Sequence, residues 1–129
     1  MMAAKGKNSK RVLIIEDDVF LMKAYEIRFE NEGVEVVMAA DADEARKQFS
    51  KKPTNAVLLD LMLPGTSGFE LLQEMKKLEG WKDVPVIIVS NLSQDKDIAT
   101  GKKLGAVDYI VKADFRVGEV VQGVISKMK

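Results

Sequence analysis

The chain of 129 residues is 47% hydrophobic and 31% charged, which supplies the core and the wetted surface of one domain and leaves little room for a second. Its 20 basic and 20 acidic residues balance, but Lys5, Lys7 and Lys10 occupy the first ten positions without an acid, so the body beyond them is weakly acidic and a poor match for a nucleic-acid backbone. Cysteine and histidine are both absent, which excludes disulfides, thiolate nucleophiles, imidazole bases and zinc sites built on them, and no apolar run approaches the ~18 residues of a membrane span.

The lead MMAAKGKNSK lacks the apolar core of a secretory signal, so a cytoplasmic protein is expected. Residues 1–9 are expected to form a flexible basic tail and residues 10–129 a single domain. Five short, almost wholly apolar runs follow: Val12–Ile15, Val34–Met38, Ala56–Leu59, Val86–Val89 and Val107–Val111. A half-exposed antiparallel strand would alternate; an unbroken apolar run suits a parallel strand covered on both faces. The segments between the runs have helical character. Phe20, Ala24 and Ile27 recur at helical spacing until Gly33, and Asp41 with Glu44 has capping-box spacing for a helix to about Phe49. Beyond Gly68, Leu71, Leu72, Met75 and Leu78 line one face. A fourth helix, about Asp95–Leu104, is the weakest, with Thr100 and Gly101 in its second half, and is expected to be marginal and easily shifted. The last helix places Val117, Val120, Val121, Val124, Ile125 and Met128 on one stripe, but its β-branched residues and Gly118 and Gly123 make it depend on docking. Strict alternation predicts a doubly wound, flavodoxin-like α/β domain: a five-stranded parallel sheet in the order 2-1-3-4-5, helices on both faces, and a crevice between the first and third strands.

That crevice receives Glu16 and Asp17 from the first run and Asp60 from the third. Like charges that close repel, and a hard divalent cation relieves the repulsion. Asp17, Asp60, the backbone carbonyl of Met62 and waters meet the octahedral demand of magnesium, with Glu16 acting through a water and Asp18 turned away to cap the first helix. Taken alone, the acidic triplet is equally an ordinary capped loop; Asp60 on a separate strand tilts the balance. Asp60 is the candidate nucleophile, because a carboxylate accepts a phosphoryl group near neutral pH without prior deprotonation. The MLPGTSG turn, stiffened by Pro64 and freed by Gly65 and Gly68, suits a site but also ends many plain strands. Ser90 and Lys112 close the fourth and fifth runs, where a hydroxyl and an ammonium would hold a tetrahedral oxyanion, Lys112 pairing with Asp60 when no phosphoryl group is present. Ser90 could equally cap a turn, as could Ser93 and Asp95, and a lone strand-end lysine is commonly just solvated. Tyr109 fits either the core or a half-exposed position from which it moves inward near Ser90.

VLIIEDD, LLDLMLPGTSG, VIIVSNLS and GAVDYIVK, in this order, resemble the receiver domain of two-component response regulators, in its stand-alone form, over about Lys10–Lys129. The resemblance puts the acidic pair at Glu16 and Asp17, the phosphoacceptor at Asp60, the hydroxyl at Ser90, the switch aromatic at Tyr109 and the lysine at Lys112. It implies transfer to Asp60 from a phosphohistidine of a sensor histidine kinase or histidine phosphotransfer protein, dependent on Mg2+ with Mn2+ able to substitute. It further implies no catalysis beyond the protein's own phosphorylation and dephosphorylation, and a downstream protein target bound through helix four, strand five and helix five. Mixed charges there (Lys102, Lys103, Asp108, Asp114, Arg116 and Glu119) are compatible with a homodimer on phosphorylation. Direct nucleic-acid binding and membrane insertion are not expected.

A constitutive interaction module with the same fold is the main competing reading, opposed by the intact set Glu16, Asp17, Asp60, Ser90 and Lys112. A phosphohydrolase using an aspartyl phosphate would want a carboxylate two residues after Asp60, where the chain has Met62. A flavodoxin-like cofactor binder would want a Gly/Ser/Thr cradle where three acids stand. Two positions depart from the family pattern. Ala113 replaces the usual proline after the lysine, and since a cis bond costs about 2.5–4 kcal/mol before alanine against about 0.5–1 before proline, a trans Lys112–Ala113 bond is expected unless its surroundings hold it cis. Asn91 replaces a small alanine beside the hydroxyl. Met62 and Leu92 occupy the two variable positions flanking the path of attacking water, and being apolar they predict a long-lived acyl phosphate.

Overall fold

The computed structural model describes residues 9–129, so the expected tail, Ser9 apart, lies outside the described residues. Strands β1 (Arg11–Ile15), β2 (Glu35–Ala39), β3 (Ala56–Leu59), β6 (Val86–Ser90) and β7 (Asp108–Val111) form a parallel sheet in the order β2-β1-β3-β6-β7. A two-residue antiparallel hairpin, β4 (Met62–Leu63) and β5 (Thr66–Ser67), turns through Pro64 and Gly65 directly after β3. Helices α1 (Val19–Asn31), α2 (Ala42–Phe49), α3 (Gly68–Met75), α4 (Asp95–Lys103) and α5 (Val117–Ile125) join the strands, and Lys112–Asp114 make a 3-10 turn. The predicted architecture and strand order are those observed.

Alternation along each strand divides the core in two. Val12, Ile14, Leu58, Ile87 and Val89 pack against Tyr25 and Phe29 of α1 and Val120, Val121 and Val124 of α5. On the other face Leu13, Ile15, Val57, Leu59 and Ile88 meet Ala45 and Phe49 of α2, and Leu71, Leu72 and Met75 of α3. Burying each large strand side chain contributes roughly 1.5–3 kcal/mol, which is why unbroken apolar runs are needed where both faces are covered. Trp81, in the connection after α3, completes the second cluster: its ring stands edge-on to Phe49 at 5.2 Å and its indole N–H donates to the Lys51 carbonyl at 3.3 Å.

Several local expectations are corrected. In α1 the inward face is Met22, Tyr25 and Phe29, whereas Phe20 is 89% exposed and Ile27 is exposed as well. Both sets keep helical spacing, and the direction of the helix on the sheet selects between them. Helix α3 ends at Met75, so Leu78 falls in the following turn and is exposed. At α2, Asp41 accepts from the Glu44 N–H at 2.8 Å as expected, but the Glu44 carboxylate reaches back to the Ala40 N–H at 2.7 Å, one residue before the cap. Helix α4 begins after Gln94 without any side-chain cap, so neither Ser93 nor Asp95 plays that part. Among the described residues no peptide bond is cis, and Lys112–Ala113 is trans.

Candidate metal centre

Strands β1 and β3 end side by side. Ile15 is in register with Leu59, the Asp60 N–H donates to the Ile15 carbonyl at 2.9 Å, and the Glu16 N–H donates to the Ala39 carbonyl at 3.1 Å. The sheet ladder therefore runs one residue past each apolar run and holds Glu16 and Asp60 by their backbones. Both are buried, at 0% and 4% exposure, while Asp17 is exposed. One carboxylate oxygen from each of Glu16, Asp17 and Asp60 lies within 4.8 Å of the other two. Asp18 faces away and accepts from the Leu21 N–H at 3.0 Å, capping α1 as predicted.

Lys112 comes in from the end of β7. Its Nζ donates to Asp60 Oδ2 at 2.9 Å and lies 2.7 Å from Glu16 Oε1. This ammonium is the polar group that stands beside the fully buried Glu16 Oε1. The other Glu16 oxygen accepts from the Asp18 N–H at 3.1 Å. Burial raises the Glu16 carboxyl above its ordinary 4.5, against the Lys112 and Asp18 hydrogen bonds, with the Asp60 charge adding to the rise. Burial works against the Lys112 ammonium, but the oxygens and charges of Glu16 and Asp60 outweigh it and raise its pKa. Three carboxylates sharing one ammonium keep an excess of negative charge that fits a hard cation with oxygen ligands. They form the one such acidic cluster among the described residues.

The loop after Asp60 is tied to the carboxylate, since the Met62 N–H donates to Asp60 Oδ1 at 3.1 Å. Gly65 takes φ +74° in the hairpin turn, and Gly68 lets α3 close against the site: a Cβ there would lie 2.6 Å from Leu61 Cα and 2.7 Å from the Asp60 carbonyl oxygen. Ser90, fully buried at the end of β6, is in register with Val111, one residue before Lys112. Its Oγ accepts from the Leu92 N–H at 3.2 Å, and the Tyr109 hydroxyl donates to the Leu92 carbonyl. Burial, then the Asp97 charge, pushes the Tyr109 phenol up, against a hydrogen bond toward Ser90. Glu16, Asp17 and Asp60 thus converge, Lys112 reaches Glu16 and Asp60, and Ser90 and Tyr109 meet at Leu92.

Sequence reasoning missed Tyr25, which lies 1% exposed below the acids; burial first, then the charges of Glu16, Asp60 and Asp18, drives its phenol upward. Its signal was available in the Met22, Tyr25, Phe29 spacing.

Residues 12–124 match the response regulator receiver domain. The chain belongs to that family. This receiver domain is 38% identical over 105 residues to the probable transcriptional regulator ycf27 of Cyanophora paradoxa, covering 81% of the chain and 43% of that protein. It is 32% identical over 104 residues to the phosphate regulon transcriptional regulatory protein PhoB of Escherichia coli strain K12, covering 81% and 45%. The chain spans less than half the length of these curated relatives. Among solved structures, a CheY-like response regulator receiver domain protein from Methanospirillum hungatei JF-1 superposes with a TM-score of 0.84 at 28% identity, covering 93% of this chain and 94% of that one. The non-phosphorylated HemR receiver domain from Leptospira biflexa gives 0.81 at 30% identity, covering 88% and 90%. The Glu16, Asp17 and Asp60 cluster therefore stands at the strand ends of a response regulator receiver domain. No helix among the described residues is long and apolar enough to cross a membrane.

Proposed function

We propose that Asp60 accepts a phosphoryl group from a phosphohistidine on a sensor histidine kinase or histidine phosphotransfer protein. In that transfer an Asp60 carboxylate oxygen bonds to phosphorus while the phosphorus–nitrogen bond breaks, its electron pair leaving on the imidazole. Asp17, Asp60 and the Met62 carbonyl, with Glu16 through a water, would hold Mg2+, or Mn2+ in its place. Such a cation would supply neutralisation of the charge on the phosphoryl oxygens. Lys112, already on Asp60 Oδ2, turns its ammonium to one phosphoryl oxygen, and the Ser90 hydroxyl donates to another. The phosphoryl group, whose charge of close to −2 replaces the single charge of the carboxylate, pulls Ser90, and through Leu92 and Tyr109 the change reaches the face of α4, β7 and α5, where a downstream protein binds. Residues 10–129 act as one receiver domain, and a cytoplasmic setting suits a donor of this kind.

The observation that carries this reading is the convergence of Glu16, Asp17 and Asp60, with the Lys112 ammonium at 2.7 and 2.9 Å from the two buried acids. Incubation with a radiolabelled small phosphodonor such as acetyl phosphate should label the protein with Mg2+ and not with a chelator, and Asp60→Asn should abolish the label. Labelling that survives either change would overturn the reading.

A further inference from the structure

Helix α4 carries a glycine where it touches the sheet. Gly101 is the one buried residue of α4. A Cβ at this position would lie 2.6 Å from Ile88 Cδ1 and 3.2 and 3.4 Å from Tyr109 Cδ2 and Cε2. Ile88 is fully buried in β6, and Tyr109 of β7 packs against the same core cluster. The tyrosine ring is therefore bounded by the sheet below and by the α4 backbone above. Its hydroxyl is fastened to the Leu92 carbonyl, and the N–H of Leu92 is fastened to Ser90 Oγ.

We propose that Gly101 is a positioning residue of the switch: its missing side chain is the seat of the Tyr109 ring, and it makes ring position and the distance of α4 from the sheet a single coordinate. Three facts converge on this. A methyl group grown from α4 would press first on Ile88 Cδ1 and next on the edge of the Tyr109 ring, so the ring keeps its seat only if α4 lifts or Ile88 yields. The ring is anchored at its far end by Leu92, so a displaced ring gives up that hydrogen bond. Helix α4 has no side-chain cap and buries nothing else, so it yields before the sheet does. A glycine inside a nine-residue helix costs helix propensity, and that cost is explained by the seat it opens.

What drives the coordinate rests on the reading of Asp60 as phosphoacceptor; the seat itself is tested without phosphate. The variants are Gly101→Ala and Gly101→Ala combined with Ile88→Val. The second deletes Ile88 Cδ1, removes the tightest contact, and keeps the core folded if the single variant does not fold. Tyrosine ring signals are read by NMR on protein carrying 13C-labelled tyrosine, in which Tyr25, buried on the opposite face of the sheet, serves as the internal reference. Gly101→Ala, or the double variant compared with Ile88→Val alone where the single variant does not fold, should shift the Tyr109 ring signals, leave those of Tyr25 in place, and speed amide exchange across residues 95–103 by roughly tenfold. Magnesium-dependent labelling from acetyl phosphate should stay within about twofold of the parent, since the variant leaves the acidic cluster alone. Unmoved Tyr109 signals with unchanged α4 exchange would overturn the proposal, as would an equal shift of both tyrosines. Absence of labelling in the parent would overturn the phosphoacceptor reading and leave the seat standing.

Discussion

The Lys112 ammonium stands closer to Glu16, at 2.7 Å, than to Asp60, at 2.9 Å. One cation thus compensates two buried acids, and in the absence of a metal it is what makes their burial tolerable. Replacing it with an apolar side chain of similar length, Lys112→Met, should lower stability in chelator by on the order of 3 kcal/mol. Magnesium should restore more stability to the variant than it adds to the parent. Urea unfolding with and without the cation measures both; a variant as stable as the parent in chelator would show that the ammonium is not the compensating charge.

Gly68 abuts backbone on the Asp60 side, and backbone cannot step aside as a flexible side chain can. Gly68→Ala should cost about 2 kcal/mol through overpacking. It should also slow labelling from a small phosphodonor, because the displaced Asp60 carbonyl carries its carboxylate with it. Thermal unfolding and a labelling time course report the two effects, and an alanine variant matching the parent in both would contradict the close approach.

The bidentate pair between Arg46 Nε and Nη2 and the Glu74 carboxylate, at 2.8 and 2.9 Å, joins α2 to α3. Hydrogen bonding from Arg46 holds the Glu74 carboxyl below its ordinary 4.5. Because the folded value lies below the unfolded one, the pair stabilises at neutral pH and the contribution is lost as pH falls through the depressed folded value. The parent should therefore exceed Glu74→Gln in stability at neutral pH, with the difference vanishing in acid and shrinking in high salt, since both side chains are substantially exposed. A gap between the two that persisted at low pH would assign it to packing.

Met62 is exposed at the mouth of the site, and its N–H is already bonded to the Asp60 carboxylate. An apolar side chain there cannot orient water. Met62→Asn should hasten loss of phosphate from purified, labelled protein by on the order of tenfold by placing a water for attack. An unchanged decay rate would remove Met62 from the control of phosphoryl lifetime.

The pattern of apolar runs and intervening helices was enough for the layer architecture, the strand order and the convergence of Glu16, Asp17, Asp60 and Lys112. Those features depend on periodicity and on one rule of chain connection, both of which are local or nearly so. The face of α1 was not legible, because Phe20, Ala24 and Ile27 repeat at a spacing as helical as that of Met22, Tyr25 and Phe29. Only contact with β1 and α5 decides which set goes inward. Gly101 shows the same division. In one dimension it is a helix weakness; in three it is the point at which α4, Ile88 and Tyr109 exclude a methyl group. Residue type and spacing alone determined which polar side chains stand at which strand ends. The tertiary structure decided which atoms touch, because steric exclusion and ion pairing between elements distant in sequence depend on separations of a few tenths of an ångström that no periodicity encodes.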